Sequence, residues 1–228
     1  MPSRPPIPPS ELWTLAWEQA AATNPRIGSD AEEEAFWQDL APAYDVKSPL
    51  AEHSGALLAD IVPLLAKGDT LLEVGPGTGA FTRRLAPYVG RIAAVEPSSA
   101  MRSVLLDGWN SSTPLEVVTR KWEDCPDLRA DVLFSANAVY RVRDMVACLR
   151  RMQQAARRHV ILVQTIGKPY AAPLTVSIDG EHVERERAHA IADILGELGI
   201  AYRSRTYTVN RGFGPIHDVA LIDWSPAG

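Results

Sequence analysis

Cysteine is scarce in this chain. Cys125 and Cys148 are its two cysteines, and they show neither CxxC spacing nor partner histidines. That pattern speaks against both a disulfide framework and a zinc site, so no metal is expected and both thiols read as reduced structural residues. Positive charge is also short: 23 Lys and Arg stand against 28 Asp and Glu, for a formal net charge of -5. A protein that grips phosphate backbones by charge needs the opposite balance, which weighs against a nucleic-acid partner. No apolar run is long enough to span a bilayer, and the opening residues, with Arg4 among Pro2, Pro5, Pro6, Pro8 and Pro9, lack the apolar core of a signal peptide. The expected compartment is the cytoplasm, with no membrane association.

What the sequence has is 46% hydrophobic residues over 228 positions, enough for one α/β domain with a full core. Residues 1–9 read as a disordered proline-rich tail, 10–66 as a helical segment and 67–228 as a sheet domain, with 10–228 forming one compact unit. Ser10 is placed to cap a first helix carrying Trp13 and Trp17, and Ser29 with Asp30 to cap a second carrying Phe36, Trp37 and Leu40. Pro49 opens a third helical segment with Leu57, Leu58 and Ile61, and His53 falls on its apolar side. The three tryptophans read as packing, with a substrate-facing lid as the alternative.

Five apolar runs read as strands: Thr70–Val74, Arg91–Val95, Leu115–Thr119, Asp131–Ser135 and Val160–Thr165. Tyr202–Val209 and Ile216–Ile222 are expected to close the sheet with an antiparallel edge. Between Val160–Thr165 and that edge, Gly167 to Pro173 reads as a loop, and Val183 to Leu198 as a helix ending at Gly199. A second helix, from Val142 to Met152, carries Arg143, Arg150 and Arg151, with Arg157 beyond; this basic side reads as a solvated face. The expected architecture is a doubly wound, seven-stranded, mostly parallel sheet preceded by N-terminal helices.

The chain is organised around Leu71-Leu72-Glu73-Val74-Gly75-Pro76-Gly77-Thr78-Gly79-Ala80-Phe81, a buried strand running into a glycine-rich turn and a helix. Glycines at alternate positions allow positive φ and close backbone approach to a ligand, while the helix N-terminus offers free N–H groups. A second acid, Glu96, ends the next strand, where it can accept both hydroxyls of a ribose. Together, Glu73-Val74-Gly75-Pro76-Gly77-Thr78-Gly79 and Val95-Glu96-Pro97-Ser98-Ser99-Ala100-Met101 resemble the first two motifs of class I S-adenosylmethionine (SAM) dependent methyltransferases.

The resemblance implies SAM as cofactor, with Glu73 holding its ammonium, Gly75, Pro76, Gly77, Thr78 and Gly79 admitting it, Glu96 and Pro97 at the ribose, and Met101 beside the adenine. Trp122 and Glu123 stand where the family reads the adenine amine, with Asp124 or a backbone group as the alternative reader, Ser135 and Asn137 in the loop at the carboxyl edge, and Tyr44 in a segment the family folds over the cofactor. Ser135-Ala136-Asn137-Ala138-Val139-Tyr140 lacks the prolines of the amino-methyltransferases that act on nucleic-acid bases, which favours a small-molecule acceptor. Tyr140, His53 and His217 are the candidate bases, with core histidine or strand-surface readings open for the two histidines. The alternatives are a ribosomal RNA or other nucleic-acid methyltransferase and an NAD(P)-dependent oxidoreductase using the same turn. A homodimer is the candidate assembly.

Overall fold

The computed structural model describes residues 7–226; most of the expected tail, residues 1–6, lies outside them. Helices α1 (Pro9–Thr23), α2 (Pro25–Gly28), α3 (Asp30–Leu40), α4 (Tyr44–Lys47) and α5 (Gly55–Ile61) precede the sheet. The sheet unit then runs β1 (Thr70–Val74), α6 (Ala80–Leu85), β2 (Arg91–Val95), α7 (Ser99–Asp107), β3 (Leu115–Val118), β4 (Ala130–Ala136), α8 (Met145–Ala155) and β5 (Ala156–Ile166). A hairpin of β6 (Leu174–Ile178) and β7 (Glu181–Arg185) follows, then α9 (Arg187–Glu197), β8 (Arg203–Val209) and β9 (His217–Trp224). Among the described residues, no helix is long and apolar enough to cross a membrane.

Seven strands form one sheet in the order β3-β2-β1-β4-β5-β9-β8, parallel except that β9 runs antiparallel to both β5 and β8. The central strands are buried on both faces, and their alternation assigns each side chain to a layer. Leu72, Leu133, Val160 and Leu162 face one core, which α8 and α9 cover, while Leu71, Val132, Phe134 and Ile161 face the other, with Phe81 and Leu85 of α6. Strand order reverses beside β1: β2 lies on one flank and β4 on the other. The crevice at this switch point opens at the carboxyl ends of the strands, where the chain's motifs lie.

Helix α1 is pinned across this edge. Trp13 is 1% exposed and its indole donates to Val142 O at 2.7 Å, while Trp17 donates to Arg141 O at 2.7 Å. Ser10 does not cap the helix as the sequence suggested: the cap position is Pro8, and the Ser10 hydroxyl donates to Glu197 at 2.6 Å. A proline-led start needs no donor partner at that end, which frees the serine for a tertiary contact. Ser29 does cap α3, accepting from Glu32 N.

Two further expectations change. The segment from Pro49 turns through Ala51–His53 before α5 begins at Gly55, so His53 sits exposed in a turn rather than on an apolar helix side. Val183 belongs to the β6–β7 hairpin, turned at Asp179-Gly180, both of which have positive φ as a tight two-residue hairpin turn requires. Gln19 of α1 clamps this hairpin through both of its amide atoms to the Ser177 backbone. The basic side after β4 is solvent-exposed at Arg143, Arg150 and Arg157, as expected, with Arg143 paired to Glu18, Arg157 to Asp131 and Arg151 over the Trp122 ring.

Candidate functional site

A cavity of about 830 Å³ lies at the switch point, between the carboxyl ends of β1, β2 and β4 and the helices α3 and α4. The glycine turn forms its floor. Gly75 has φ +69°, and a Cβ there would come within 2.3 Å of the Ala138 Cβ, so the β1 turn and the β4 loop touch only because Gly75 has no side chain. Gly77 has φ +59° and open space toward Met101, 3.9 Å from where a Cβ would stand. That space belongs to the cavity.

Two acids end neighbouring strands within this site. Glu73 is 1% exposed, and its Oε2 has no hydrogen-bond partner among the described residues. Burial is the main cause that pushes its carboxyl up to about 7, with the nearby Glu96 charge adding to it. Glu96 is 6% exposed and accepts from Gly77 N and Ser98 N, both at 2.9 Å. Burial raises its pKa against those backbone donors. A cavity edged by two buried carboxylates, one of them with an unpartnered oxygen, is electrostatically incomplete; it suits a ligand with a cationic group at Glu73 and hydroxyls at Glu96. A cofactor with an ammonium and a ribose would supply donors to that pair of acceptors.

The N-terminal helices close the cavity with a carboxylate at each corner. Asp30 pairs with Lys121 at 2.5 Å and with Arg141 at 2.9 Å, tying the start of α3 to the loops after β3 and β4. Glu34 accepts from Ser99 N at 3.0 Å and from the Ser99 hydroxyl, anchoring α3 on the first turn of α7, where helix N–H groups are free. Glu33, 5% exposed, pairs with Arg26 and accepts from the Tyr140 hydroxyl. Trp37 stacks edge-on against Tyr44, centroids 5.6 Å apart. Below them, Asp45 accepts from the Thr78 hydroxyl and pairs with Arg83 at 2.9 Å.

Of the residues singled out in the sequence, Tyr44, Glu73, Gly75, Pro76, Gly77, Thr78, Glu96, Pro97, Met101, Trp122, Glu123, Asn137 and Tyr140 line this one cavity. Four do not. Gly79 is turned away as the N-cap of α6 with φ +85°, and its missing Cβ leaves room for Leu105 of α7, so it serves helix packing. Ser135 is buried and donates to Val74 O at 2.9 Å, stitching β4 to β1. His53 is exposed outside the cavity wall. His217 is buried behind the wall, and its Nε2 accepts from Arg211 at 3.2 Å, so the lone pair a base would need is taken. Burial, followed by the Arg211 charge, also lowers its pKa.

Tyr140 is in place but is held as a donor. Burial and the hydrogen bond to Glu33 drive its phenol far above the ordinary tyrosine range, so it does not serve as a base near neutrality. Asn137 has φ +53°, and its amide bridges Thr165 N and Oγ1, spending the side chain on fixing the β4 and β5 ends. Trp17 and Trp37 line the cavity, whereas Trp13 is buried in the core. The sequence reading missed Glu33, Glu34 and Asp30. An acidic first turn of a helix is so ordinary a capping feature that no local signal marked these three as cavity residues.

The methyltransferase domain family model matches residues 49–204. No curated protein matches the chain. Among solved structures, a SAM-dependent methyltransferase from Aquifex aeolicus is similar at 18% identity with a TM-score of 0.61, over 83% of this chain and 98% of that one. A SAM-dependent methyltransferase from Leishmania major is similar at 13% identity with a TM-score of 0.62, over 85% and 81% of the two chains. DhpI in complex with SAH is similar at 17% identity with a TM-score of 0.59, over 85% and 96%. At these identities the structural likeness establishes the fold.

Proposed function

This chain belongs to the methyltransferase domain family and uses SAM, and we propose that it transfers the methyl group to a small-molecule acceptor held in the cavity under α3 and α4. The observation that carries this reading is the orphaned, buried Glu73 Oε2 beside the glycine turn, with Glu96 one strand away. In the proposal Glu73 meets the ammonium, the turn from Gly75 to Thr78 admits the methionine part, Glu96 holds the ribose hydroxyls, and Met101 with Trp122 borders the adenine. SAM, when bound, supplies an activated methyl group.

The protein's part is then to position and enclose. Holding two reactants in near-attack geometry supplies on the order of 7 kcal/mol or more, and no covalent enzyme intermediate is needed. No histidine lines the cavity among the described residues, and Tyr140 is fixed as a donor, which favours an acceptor that needs no strong protein base. Three features support a small acceptor: the proline-free Ser135–Tyr140 loop, the net charge of -5, and the three carboxylate ties that close α3 over the cavity. The nicotinamide alternative falls with the family assignment.

The test is calorimetric titration with SAM, SAH, NADH and NADPH, on the native protein and on Glu96→Ala. The expected result is binding of SAM and SAH alone, strongly weakened in a variant that still melts cooperatively. Native affinity in folded Glu96→Ala would remove Glu96 from the site.

A further inference from the structure

The cations that line the cavity among the described residues have an acid beside them: Lys121 and Arg141 pair with Asp30 and Arg143 with Glu18, while Arg26 and Arg83 nearby pair with Glu33 and Asp45. Arg211, in the β8–β9 loop, is different. It is 3% exposed, yet among the described residues it forms no ion pair. Its guanidinium lies 3.9 Å from the Tyr170 ring centroid, Nε and Nη2 reach His217 Nε2, and Nη1 donates to Ser48 Oγ at 3.0 Å. All three partners are neutral groups, and His217 is held neutral by burial and by the arginine itself. Arg187, half-buried, differs again: it donates to the backbone carbonyls of Ala172 and Tyr140.

A buried guanidinium without a counter-charge carries a desolvation cost that neutral acceptors offset only in part. The contact with Ser48 shows where a counter-charge could enter, because Ser48 and its neighbour Tyr44 line the cavity. Ser48 Oγ accepts from Arg211, and the Ser48 side chain is in turn hydrogen-bonded to the Tyr44 phenol, so the cation is relayed through the serine toward the phenol that faces the cavity. Burial raises the Tyr44 phenol, keeping it protonated as a donor. A half-buried hydroxyl and a phenol, backed by a fixed positive charge, form a donor set suited to an oxyanion. On the Arg211 side this corner adjoins the carboxyl end of β5, where Ile166 pairs with Asp218 next to His217.

Resting on the proposed transfer to a small molecule, we propose that the acceptor carries an anionic oxyacid group, a carboxylate or phosphonate, which docks at the Ser48–Tyr44 wall against Arg211. Arg211 is a specificity-determining residue in this scheme, acting through Ser48 and through its charge. The acceptor's nucleophile is then oriented by its opposite end.

The experiment titrates the SAH-saturated protein with benzoate, phenylphosphonate and inorganic phosphate, and with neutral benzamide as control. Saturable binding of benzoate or phenylphosphonate at least roughly tenfold tighter than benzamide is expected, the scale of one charge-assisted hydrogen bond. Arg211→Met should erase that preference while leaving SAH affinity unchanged. Equal binding of benzamide, absence of saturable binding by all three anions, or an anion preference that survives Arg211→Met would each overturn the proposal. If Arg211→Met does not fold, Ser48→Val decides: it should reduce the preference by severalfold, and an unchanged preference refutes the subsite. Loss of SAH binding by the native protein would instead strike the proposed function on which the inference rests.

Discussion

Glu73→Gln should make the protein more stable and less able to hold its cofactor. The substitution is isosteric and removes a charge that the unliganded fold carries at a cost. The Glu73 carboxyl rises from 4.5 to about 7, chiefly through burial. A carboxyl whose folded pKa is raised contributes stability that is fully present below its unfolded value and lost as pH rises through the folded one, so the window here is about pH 4.5 to 7. A shift of that size corresponds to about 3 kcal/mol at pH 8. Native protein and Glu73→Gln should therefore melt together near pH 4.5. At pH 8 the variant should melt higher, by roughly 5–10 °C for a domain of this size. Cofactor binding should move the other way, since the ammonium loses its charged partner: SAH affinity should fall by roughly a hundredfold or more, the scale of breaking a buried ion pair. Native SAH affinity should also weaken below pH 7, as the cation competes with a proton on Glu73. Differential scanning fluorimetry across pH 4.5–8 with calorimetry on both proteins decides it. A melting difference that does not change with pH would refute the claim that Glu73 is a desolvated acid in the free protein.

Gly79→Ala should destabilise the fold by about 2–4 kcal/mol, because its Cβ meets Leu105 at 2.3 Å and its φ is +85°; SAH affinity per folded molecule should be unchanged, as calorimetry can check. Gly77→Val should abolish SAH binding through occupation of the open space beside Met101, in addition to the strain of a branched residue at φ +59°, and turnover at the native rate would contradict the placement of the turn. Tyr140→Phe should cost about 1–3 kcal/mol in chemical denaturation by leaving Glu33 short of a donor, with no shift in the pH profile of methyl transfer. Trp13→Ala should cost about 3–5 kcal/mol, since a fully buried indole and its bond to Val142 O are both lost.

The expected sheet was legible because its central strands are buried on both faces and read as unbroken apolar runs, and because Glu73 and Glu96 sit at fixed offsets from strand ends. The β6–β7 hairpin was missed although Asp179-Gly180 carried the turn signal, since only two of its side chains, Leu174 and Val176, are buried and the flanking prolines read as loop. The candidate bases were less legible. A histidine's use depends on who holds its lone pair, and the partner of His217 is Arg211, brought near it by the β8–β9 turn.

By itself, then, the sequence determined the fold class, the family's motifs and the two acids, because these rest on local periodicity and on spacing within one strand-turn-helix unit. Tertiary structure alone decided that α3 closes the cavity through Asp30, Glu33 and Glu34, that Gly79 and Ser135 serve packing, and that Arg211 is buried without an acid. Those outcomes depend on contacts between segments tens to more than a hundred residues apart, and the free energy of such contacts comes from burial and charge pairing that no local stretch of sequence records.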